Sequence, residues 1–527
     1  MSPVAKPTTL ASVLKAGYAA LTKGMFDRAA SMAKLALETD SKLVPAHFLA
    51  GLVAINTNDK NIAFQAFQSV VRLDRNHAGG WAQLALMYMQ FGMVNKAENA
   101  IQQLRIIRTD EPMALDLMGQ ALSLMGEHTL ANKCFARTCI VEPNKPVFMH
   151  NLANNLIFSG DTQAAQILLK EIIGIKPNSP QAHWLLAGSK KAEDKTHINA
   201  MRKWLEETPG NAHAQAFYHY AIGKEYEDLQ QWSNAFEAFE NGAKAKKQVA
   251  PFDEADEIAE FEFLQQHFTQ DWLNDGCQGS NDAAPIFVLG QPRTGTTLIE
   301  RIITAHTSVH SAGELQQLRL AIFRLGNINT RKRFSTQVFD AALRVEPKQI
   351  GNMYMQTVGR MRGNTERFVD KLPQNYLFLP LILKALPNAK VVHVVRNPMD
   401  ACFASYKQLF AETYAHSYDQ QQMARHHVRY LHLMSAWRER FGDRFLDIQY
   451  EDTAQDLESN ARTLLEFLEL PWQDQCLNFH QQKGAVTTAS AVQVREPAHT
   501  RSIGRWKHYE QQLAPMLDTL SAAGVEI

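Results

Sequence analysis

Small residues recur every 34 positions through the first half of the chain, and this period constrains the fold more than any other feature. Two such series run in phase along the sequence. The first series is Gly17, Gly51, Ala85, Gly119, Ala153, Ala187 and Ala221. The second series is Ala29, Ala63, Ala97, Ala131 and Ala165, followed by Asn199 and Ser233. Turn-forming residues often lie between the two series, so each unit is predicted to be a pair of antiparallel helices that approach closely at the small side chains.

This pattern resembles the tetratricopeptide repeat, which has small residues at these two offsets. The resemblance implies a solenoid of stacked helix pairs over residues 10–245, with degenerate units after about residue 180. Such a solenoid presents a groove, and we expect the groove to bind a peptide or protein partner. A passive spacer is the alternative. Residues 246–284 break the period and are predicted to be a linker.

The segment that follows the linker predicts a strand, an anion-binding loop and a helix. The run Ile286–Leu289 is apolar, as in a buried parallel strand, and Gly290 and Gly295 bound a short turn. Such a turn directs backbone N–H groups and the positive end of a helix at one point, where phosphate is the usual ligand. A Walker loop has lysine after its second glycine, but Thr296 occupies that position here and Arg293 lies within the loop. The loop is therefore predicted to bind a phosphorylated donor other than ATP or GTP.

Short apolar runs alternate with amphipathic helices in the rest of the chain, which predicts an α/β domain with a parallel sheet. The β-branched run Lys390–Val395 ends at Arg396, while Lys371 and Tyr450 lie at the ends of two other predicted strands. Ligands of parallel sheets bind beyond the carboxyl ends of the strands. We therefore expect Arg293, Lys371, Arg396 and Tyr450 to converge.

These segments resemble the sulfotransferases that use 3′-phosphoadenosine 5′-phosphosulfate (PAPS), and within them the tyrosylprotein sulfotransferases that carry repeats at the front. The resemblance implies a P-loop-like α/β sulfotransferase domain over residues 285–527. It implies transfer of a sulfuryl group from PAPS to a hydroxyl, with protein tyrosine, a saccharide or a small molecule as the acceptor. A catalytically inactive nucleotide-binding scaffold is one alternative, and a P-loop kinase is the other.

The resemblance also assigns functional residues. Glu314, Lys371 and Arg293 match the catalytic residues of the family, and Glu314 is expected to take the proton of the acceptor hydroxyl. The residues expected to bind the nucleotide are Arg293, Thr294, Gly295, Thr296, Thr297, Arg396, Ser405, Tyr450, Ser490 and Arg505.

Two positions depart from the family pattern. The family has a serine eight residues after the 3′-phosphate arginine, but this chain has Ala404 there, and Ser405 follows it. One residue of shift rotates a helical side chain by about 100°. The tyrosylprotein enzymes also carry an arginine, used toward acidic peptides, at the position of Gln316. The acceptor is therefore not predicted to be an acidic tyrosine peptide on this resemblance alone.

The composition limits the partners of the chain. Lys plus Arg and Asp plus Glu each number 54 in 527 residues, and this zero net charge argues against a general nucleic-acid or anionic-membrane binder. No apolar run reaches the roughly 20 residues of a membrane-spanning helix. The five cysteines lack the spacing of a zinc site, so we predict no metal and a reducing, cytoplasmic setting.

Overall fold

The computed structural model describes residues 9–328, 330, 332–410, 413–488 and 490–527, with the exception of the Asp443 side chain. The chain divides into two compact units, Met1–Asn151 and Leu152–Ile527. The division lies within the predicted repeat region, so the later repeats group with the C-terminal residues rather than with the earlier repeats.

The described part of the first unit consists of helices that alternate between 13 and 14 residues. They are α1 (Leu10–Thr22), α2 (Phe26–Thr39), α3 (Val44–Asn56), α4 (Lys60–Leu73), α5 (Ala78–Gln90), α6 (Val94–Ile107), α7 (Pro112–Leu124) and α8 (His128–Val141), and α9 (Pro146–Ser159) spans the division. A Cβ atom at Gly51 or Gly119 would lie 2.6 Å from the ring of Phe67 or Phe135, respectively. The 34-residue period therefore reflects sites where one helix of a pair leaves room for an aromatic ring of the other.

The second unit begins with the remaining repeat helices, α10 (Thr162–Ile175), α11 (Pro180–Ser189), α12 (Thr196–Glu206), α13 (Ala212–Asp228) and α14 (Trp232–Val249). The last pair repeats the same contact, since a Cβ at Gly223 would lie 2.6 Å from the Phe239 ring. Phe239 shares one hydrophobic core with Met399, Phe403 and Tyr509. The final repeat is thus packed into the C-terminal domain.

The segment 246–284, predicted to be a linker, contains helices α15 (Glu254–His267) and α16 (Gln270–Leu273). Two arginines of a later helix fix α15 in place. Arg425 forms two hydrogen bonds of 2.8 Å with the Glu254 carboxylate, and Arg429 contacts the same carboxylate at 3.0 Å. The Glu254 carboxylate therefore holds α15 against that later helix.

Five parallel strands form the sheet of the second unit in the order β2-β3-β1-β4-β5. They are β1 (Pro285–Gly290), β2 (Val309–Ser311), β3 (Arg367–Lys371), β4 (Lys390–Val395) and β5 (Leu446–Gln449). Along β1, Phe287 and Leu289 enter one hydrophobic core, while Ile286 and Val288 enter another. Because successive side chains of a strand point to opposite faces, both faces of the sheet are buried. The predicted α-solenoid followed by a parallel α/β domain is confirmed.

The remaining helices cover the sheet or follow it. They are α17 (Thr296–Thr304), α18 (Gln317–Leu325), α19 (Thr336–Arg344), α20 (Pro347–Val358), α21 (Leu379–Ala385), α22 (Pro398–Tyr406), α23 (Gln420–Phe441), α24 (Tyr450–Gln455), α25 (Leu457–Phe467) and α26 (Ala514–Ala522). None of the described helices has both the length and the apolar character needed to cross a membrane.

Candidate active site

The loop between β1 and α17 has the backbone of an anion cradle. Gly290 and Gly295 have φ angles of 147° and 101°, and Arg293 adopts the left-handed region at 65°. A Cβ atom at Gly295 would lie 2.5 Å from the Tyr450 ring, so glycine is required there for space as well as conformation. No side chain of the described residues caps α17, which leaves its first N–H groups available to a ligand.

Arg293 extends from this loop toward the C-terminal segment. Its Nη1 donates to Ser490 Oγ at 2.6 Å, and its Nη2 donates to Gln493 Oε1 at 2.9 Å. Burial, together with the neighbouring charge of Arg396, lowers the pKa of Arg293 to about 10. A group that remains cationic under these conditions gains strongly from an anionic ligand.

Arg396, directly after β4, contacts the backbone of the same loop. It donates from Nη1 to the Arg293 carbonyl at 2.8 Å and from Nη2 to the Ser502 carbonyl at 2.6 Å. Its guanidinium lies 4.7 Å from the centre of the Tyr450 ring. The Arg396 Nε is buried and has no partner among the described residues, which leaves one donor for a ligand.

The hydroxyl residues predicted to bind the nucleotide are also at this loop. Ser405 is buried and donates from Oγ to the Pro292 carbonyl at 3.2 Å, so its side chain reaches the loop from α22. Thr294 donates to the Gln291 carbonyl at 2.8 Å. Thr297 lies within 3.3 Å of the Thr488 hydroxyl.

Lys371 and Glu314 form an ion pair beside the loop. Lys371 Nζ lies 2.5 Å from Glu314 Oε1, and the Lys371 amide donates to the Gly313 carbonyl at 2.9 Å. In the sheet register, Lys371 is opposite Val288, two residues before Gly290. The pair therefore lies at the end of the sheet that carries the anion cradle.

Arg505 differs from the other predicted nucleotide ligands. Its Nε donates to Glu227 Oε1 of α13 at 3.1 Å, and Lys407 Nζ contacts the same carboxylate at 2.7 Å. Arg505 is nevertheless tied to the loop through its neighbours, because Arg396 donates to both the Arg293 carbonyl and the Ser502 carbonyl. The other predicted nucleotide ligands lie in the loop or contact it or its side chains. Arg505 is connected to the loop through the segment around Ser502.

Two buried carboxylates near Lys371 were not predicted. Glu300 accepts a 2.6 Å hydrogen bond from Ser311, and burial raises its pKa although Lys371 acts in the opposite direction. Asp370 accepts from the Tyr354 hydroxyl at 3.0 Å, and burial raises its pKa to about 8. The sequence signal for Asp370 was its position directly before Lys371, whereas Glu300 is an ordinary polar residue in an amphipathic helix pattern.

A second unpredicted network lies behind the loop. His426 contacts Gln291 through Nε2 at 3.2 Å and Glu257 through Nδ1 at 2.7 Å. His416 stacks on His426 at 3.5 Å with the ring planes 11° apart. The potential ligand atoms of Glu257, His416 and His426 lie within 4.8 Å of one another. Both Nδ1 atoms contact the same oxygen of Glu257, His416 at 3.4 Å and His426 at 2.7 Å.

Charge explains how this network is stabilised. Burial alone would raise the pKa of Glu257, but the two histidines outweigh it and lower the pKa. Arg429 also donates to the other carboxylate oxygen of Glu257, at 2.5 and 2.9 Å. The network anchors Gln291, the first loop residue after β1, to α15 and α23.

This arrangement can bind a ligand with more than one anionic group and position a hydroxyl beside a carboxylate. Uncapped helix N–H groups and the Arg293 and Arg396 side chains surround the loop. Lys371 and Glu314 supply a cation and a proton acceptor at its edge. Transfer reactions of tetrahedral groups rely on these two elements, since catalysis there is mainly positioning and charge stabilisation.

Comparisons with known proteins agree with this interpretation of the C-terminal residues. Residues 285–474 match the model of the sulfotransferase family. The chain is 27% identical over 383 residues to an uncharacterized protein of Aquifex aeolicus, covering 71% of this chain and 50% of that protein. It is 25% identical over 300 residues to protein-tyrosine sulfotransferase A of Caenorhabditis elegans, covering 54% and 74%. A Drosophila melanogaster protein-tyrosine sulfotransferase is 25% identical over 234 residues, covering 42% and 46%.

Solved structures are each similar to less than half of the chain. The sulfotransferase domain from the curacin biosynthetic pathway is 16% identical, with a TM-score of 0.32, and covers 47% of this chain and 99% of that one. The Cut9-Hcn1 structure of the APC/C is 16% identical with a TM-score of 0.36 and covers 41% and 44%. The alignment spans half the length of the Aquifex relative. The chain thus carries a sulfotransferase-family domain behind a region of tetratricopeptide-like helical repeats.

Proposed function

We propose that this protein transfers a sulfuryl group from PAPS to a hydroxyl acceptor. The observation that carries the proposal is the pairing of Lys371 with Glu314 at the sheet end that also holds the Arg293 and Arg396 loop. A donor with phosphate groups at two positions needs cations on two sides. Arg293 projects from the loop and Arg396 comes from the end of β4, which supports such a donor.

The geometry supports a role for each of these residues. Arg293, Lys371 and the first N–H groups of α17 would stabilise the negative charge that develops on the bridging oxygen as the sulfuryl group leaves. Glu314 is a third exposed in its side chain, so an acceptor can approach it from solvent and transfer its proton. Lys371 is buried and fixed by its backbone bond to Gly313, so it holds the Glu314 carboxylate in place.

Protein tyrosine is the acceptor that we favour. A phenol ionises near pH 10, far more readily than a sugar hydroxyl, so a single carboxylate suffices as the base. The similarity to the Caenorhabditis and Drosophila protein-tyrosine sulfotransferases supports this choice. The repeats would present the protein that bears the tyrosine.

Transfer of labelled sulfate from PAPS tests the proposal directly. The full chain would be incubated with labelled PAPS and tyrosine-containing peptides, with serine and saccharide acceptors in parallel. Calorimetry with 3′,5′-adenosine bisphosphate measures donor-site binding separately. Binding of this nucleotide without any transfer would favour the inactive scaffold instead, and an absence of binding would contradict the proposal.

A further inference from the structure

A carboxylate of the repeat region lies buried among cations at the edge of the candidate donor site. Glu227 is 8% exposed and belongs to α13. Lys407 Nζ donates to its two oxygens at 2.7 and 3.0 Å. Arg505 Nε donates at 3.1 Å, and the Tyr509 hydroxyl donates at 3.0 Å. A carboxylate with this many donors fixes the geometry of each of them.

The two cations belong to elements that also hold the anion loop. Lys407 directly follows α22, the helix that begins after Arg396. Arg505 lies between two amides that donate to Asp400, Gly504 at 2.6 Å and Trp506 at 3.2 Å. Arg396 in turn donates to the Ser502 carbonyl at 2.6 Å. Glu227 is therefore bonded to the same short segment that Arg396 and Asp400 hold against the loop.

Arg505 uses only part of its guanidinium in this contact. Its Nε is taken by Glu227, whereas its two Nη groups have no hydrogen-bond acceptor in the described part of the chain. A guanidinium held through Nε can still present its Nη groups to a phosphate. The contact with Glu227 is thus compatible with the nucleotide-binding role expected for Arg505.

We propose that Glu227, a side chain of the repeat region, is a positioning residue for the donor, because it orients Arg505 through Nε and holds Lys407 beside the anion loop. This inference rests on the proposed function and extends it. The repeats then do more than present an acceptor, since their last helix pair completes the donor site. A ligand that shifted α13 would change donor affinity by the same contact.

The charge of Glu227 affects the pKa of Lys407, and this effect distinguishes a positioning role from a purely structural contact. Burial lowers the pKa of Lys407 to about 8, Arg505 and Arg293 act in the same direction, and Glu227 opposes them. Removing the Glu227 carboxylate leaves burial and the two arginines, which all lower the pKa of Lys407, so this pKa falls further. At a given pH a smaller fraction of Lys407 then carries its proton, until an anionic nucleotide binds and draws a proton onto it.

Calorimetry on the full chain tests this inference with 3′,5′-adenosine bisphosphate as the probe. We expect Glu227→Gln to bind the nucleotide roughly tenfold more weakly, the loss of about one charge-assisted hydrogen bond. Titrations at pH 7 in two buffers of different ionisation enthalpy would show greater proton uptake by this variant than by the wild type. Glu227→Asp should recover part of both effects. Glu240→Gln, in the exposed Glu240–Lys244 pair of α14, is the matched control.

Each outcome decides the matter. Weaker binding with added proton uptake supports a positioning role for Glu227. Wild-type affinity in a folded Glu227→Gln protein, or weaker binding with unchanged proton uptake, overturns it. If the wild-type chain itself fails to bind the nucleotide, the proposed function falls and this inference falls with it.

Discussion

Lys371 and Glu314 are joined at 2.5 Å although one side chain is 1% exposed and the other 36%. The lysine is therefore fixed inside the domain while its partner remains open to solvent. A buried cation stabilises an adjacent carboxylate and restricts its rotamers. This asymmetry suits a residue that must meet an incoming acceptor and keep one orientation.

Replacing Glu314 should abolish most transfer without weakening donor binding. Glu314→Gln keeps the size of the side chain but removes the proton acceptor, so the transfer rate should fall by about 10²- to 10⁴-fold. Labelled-sulfate transfer and nucleotide calorimetry measure the two effects. Glu439→Gln on the exposed face of α23 is the control. Equal transfer by the wild-type and Glu314→Gln proteins would remove Glu314 from the mechanism.

Replacing Arg396 with lysine should weaken nucleotide binding. Its guanidinium bridges the Arg293 and Ser502 carbonyls and lies over the Tyr450 ring, a geometry that an ammonium group cannot reproduce. We expect Arg396→Lys to weaken binding of 3′,5′-adenosine bisphosphate by about 10- to 100-fold, the value of one or two such contacts.

The exposed Arg462 gives the matched substitution for this test. It lies 3.9 Å from the Trp472 ring centre and pairs with Glu458, but it belongs to α25, outside the candidate site. Arg462→Lys should retain wild-type affinity in the same calorimetric titration. Similar affinities for the two variants and the wild type would show that Arg396 does not contact the donor.

Gly295→Ala should disturb the anion cradle more than a glycine substitution elsewhere. Gly295 has a φ of 101°, and a Cβ added there would lie 2.5 Å from the Tyr450 ring. Alanine therefore adds a steric clash to a backbone strain of about 1–3 kcal/mol. Gly210 has a φ of 81° with open space around it, so Gly210→Ala measures the backbone strain without a steric clash. Chemical denaturation should show a greater loss of unfolding free energy for Gly295→Ala than for Gly210→Ala. Only Gly295→Ala should weaken nucleotide binding.

Asp370 should make the unfolding free energy depend on pH. Its pKa is raised by burial from 3.8 to about 8 in the folded protein, so between these values the folded state binds more protons than the unfolded state. Stability from this group is fully present below pH 3.8 and is lost as the pH rises to about 8, with a slope of at most about 1.4 kcal/mol per pH unit.

Asp370→Asn tests this titration because it cannot ionise and keeps an acceptor for the Tyr354 hydroxyl. Denaturation at pH 5, 6, 7 and 8 would measure the slope for each protein. We expect a smaller decrease in stability for the variant across this range. Parallel curves for the two proteins would contradict a raised pKa at Asp370.

Local patterns predicted the main elements of the C-terminal domain. The strand at Lys390–Val395 has the observed bounds, and the helix after the loop begins at Thr296 as expected. The strand β2 was missed because three residues carry no periodic signal. The residues after β5 form two short helices, since the Asp456 side chain accepts from the Ser459 amide and begins a new one. Tyr450 accordingly starts a helix rather than ending a strand.

Family resemblance supplied the site residues that local patterns do not define. Ser490 and Arg293 are 197 positions apart, yet their side chains are hydrogen-bonded. No periodicity or spacing in the sequence indicates such a contact. The partner of the repeats and the cytoplasmic location, inferred from a groove and from cysteine usage, stay predictions.

The sequence alone determined the repeat period, the strands other than β2 and the glycine-bounded loop, because these depend on neighbours within a few residues. Tertiary structure decided which distant polar side chains meet: Lys371 with Glu314, Arg293 with Ser490, and Glu227 with Lys407 and Arg505. A charged side chain looks the same in a sequence whether it is solvated or buried. Only the folded chain brings it near a partner and removes the water that would otherwise weaken their interaction.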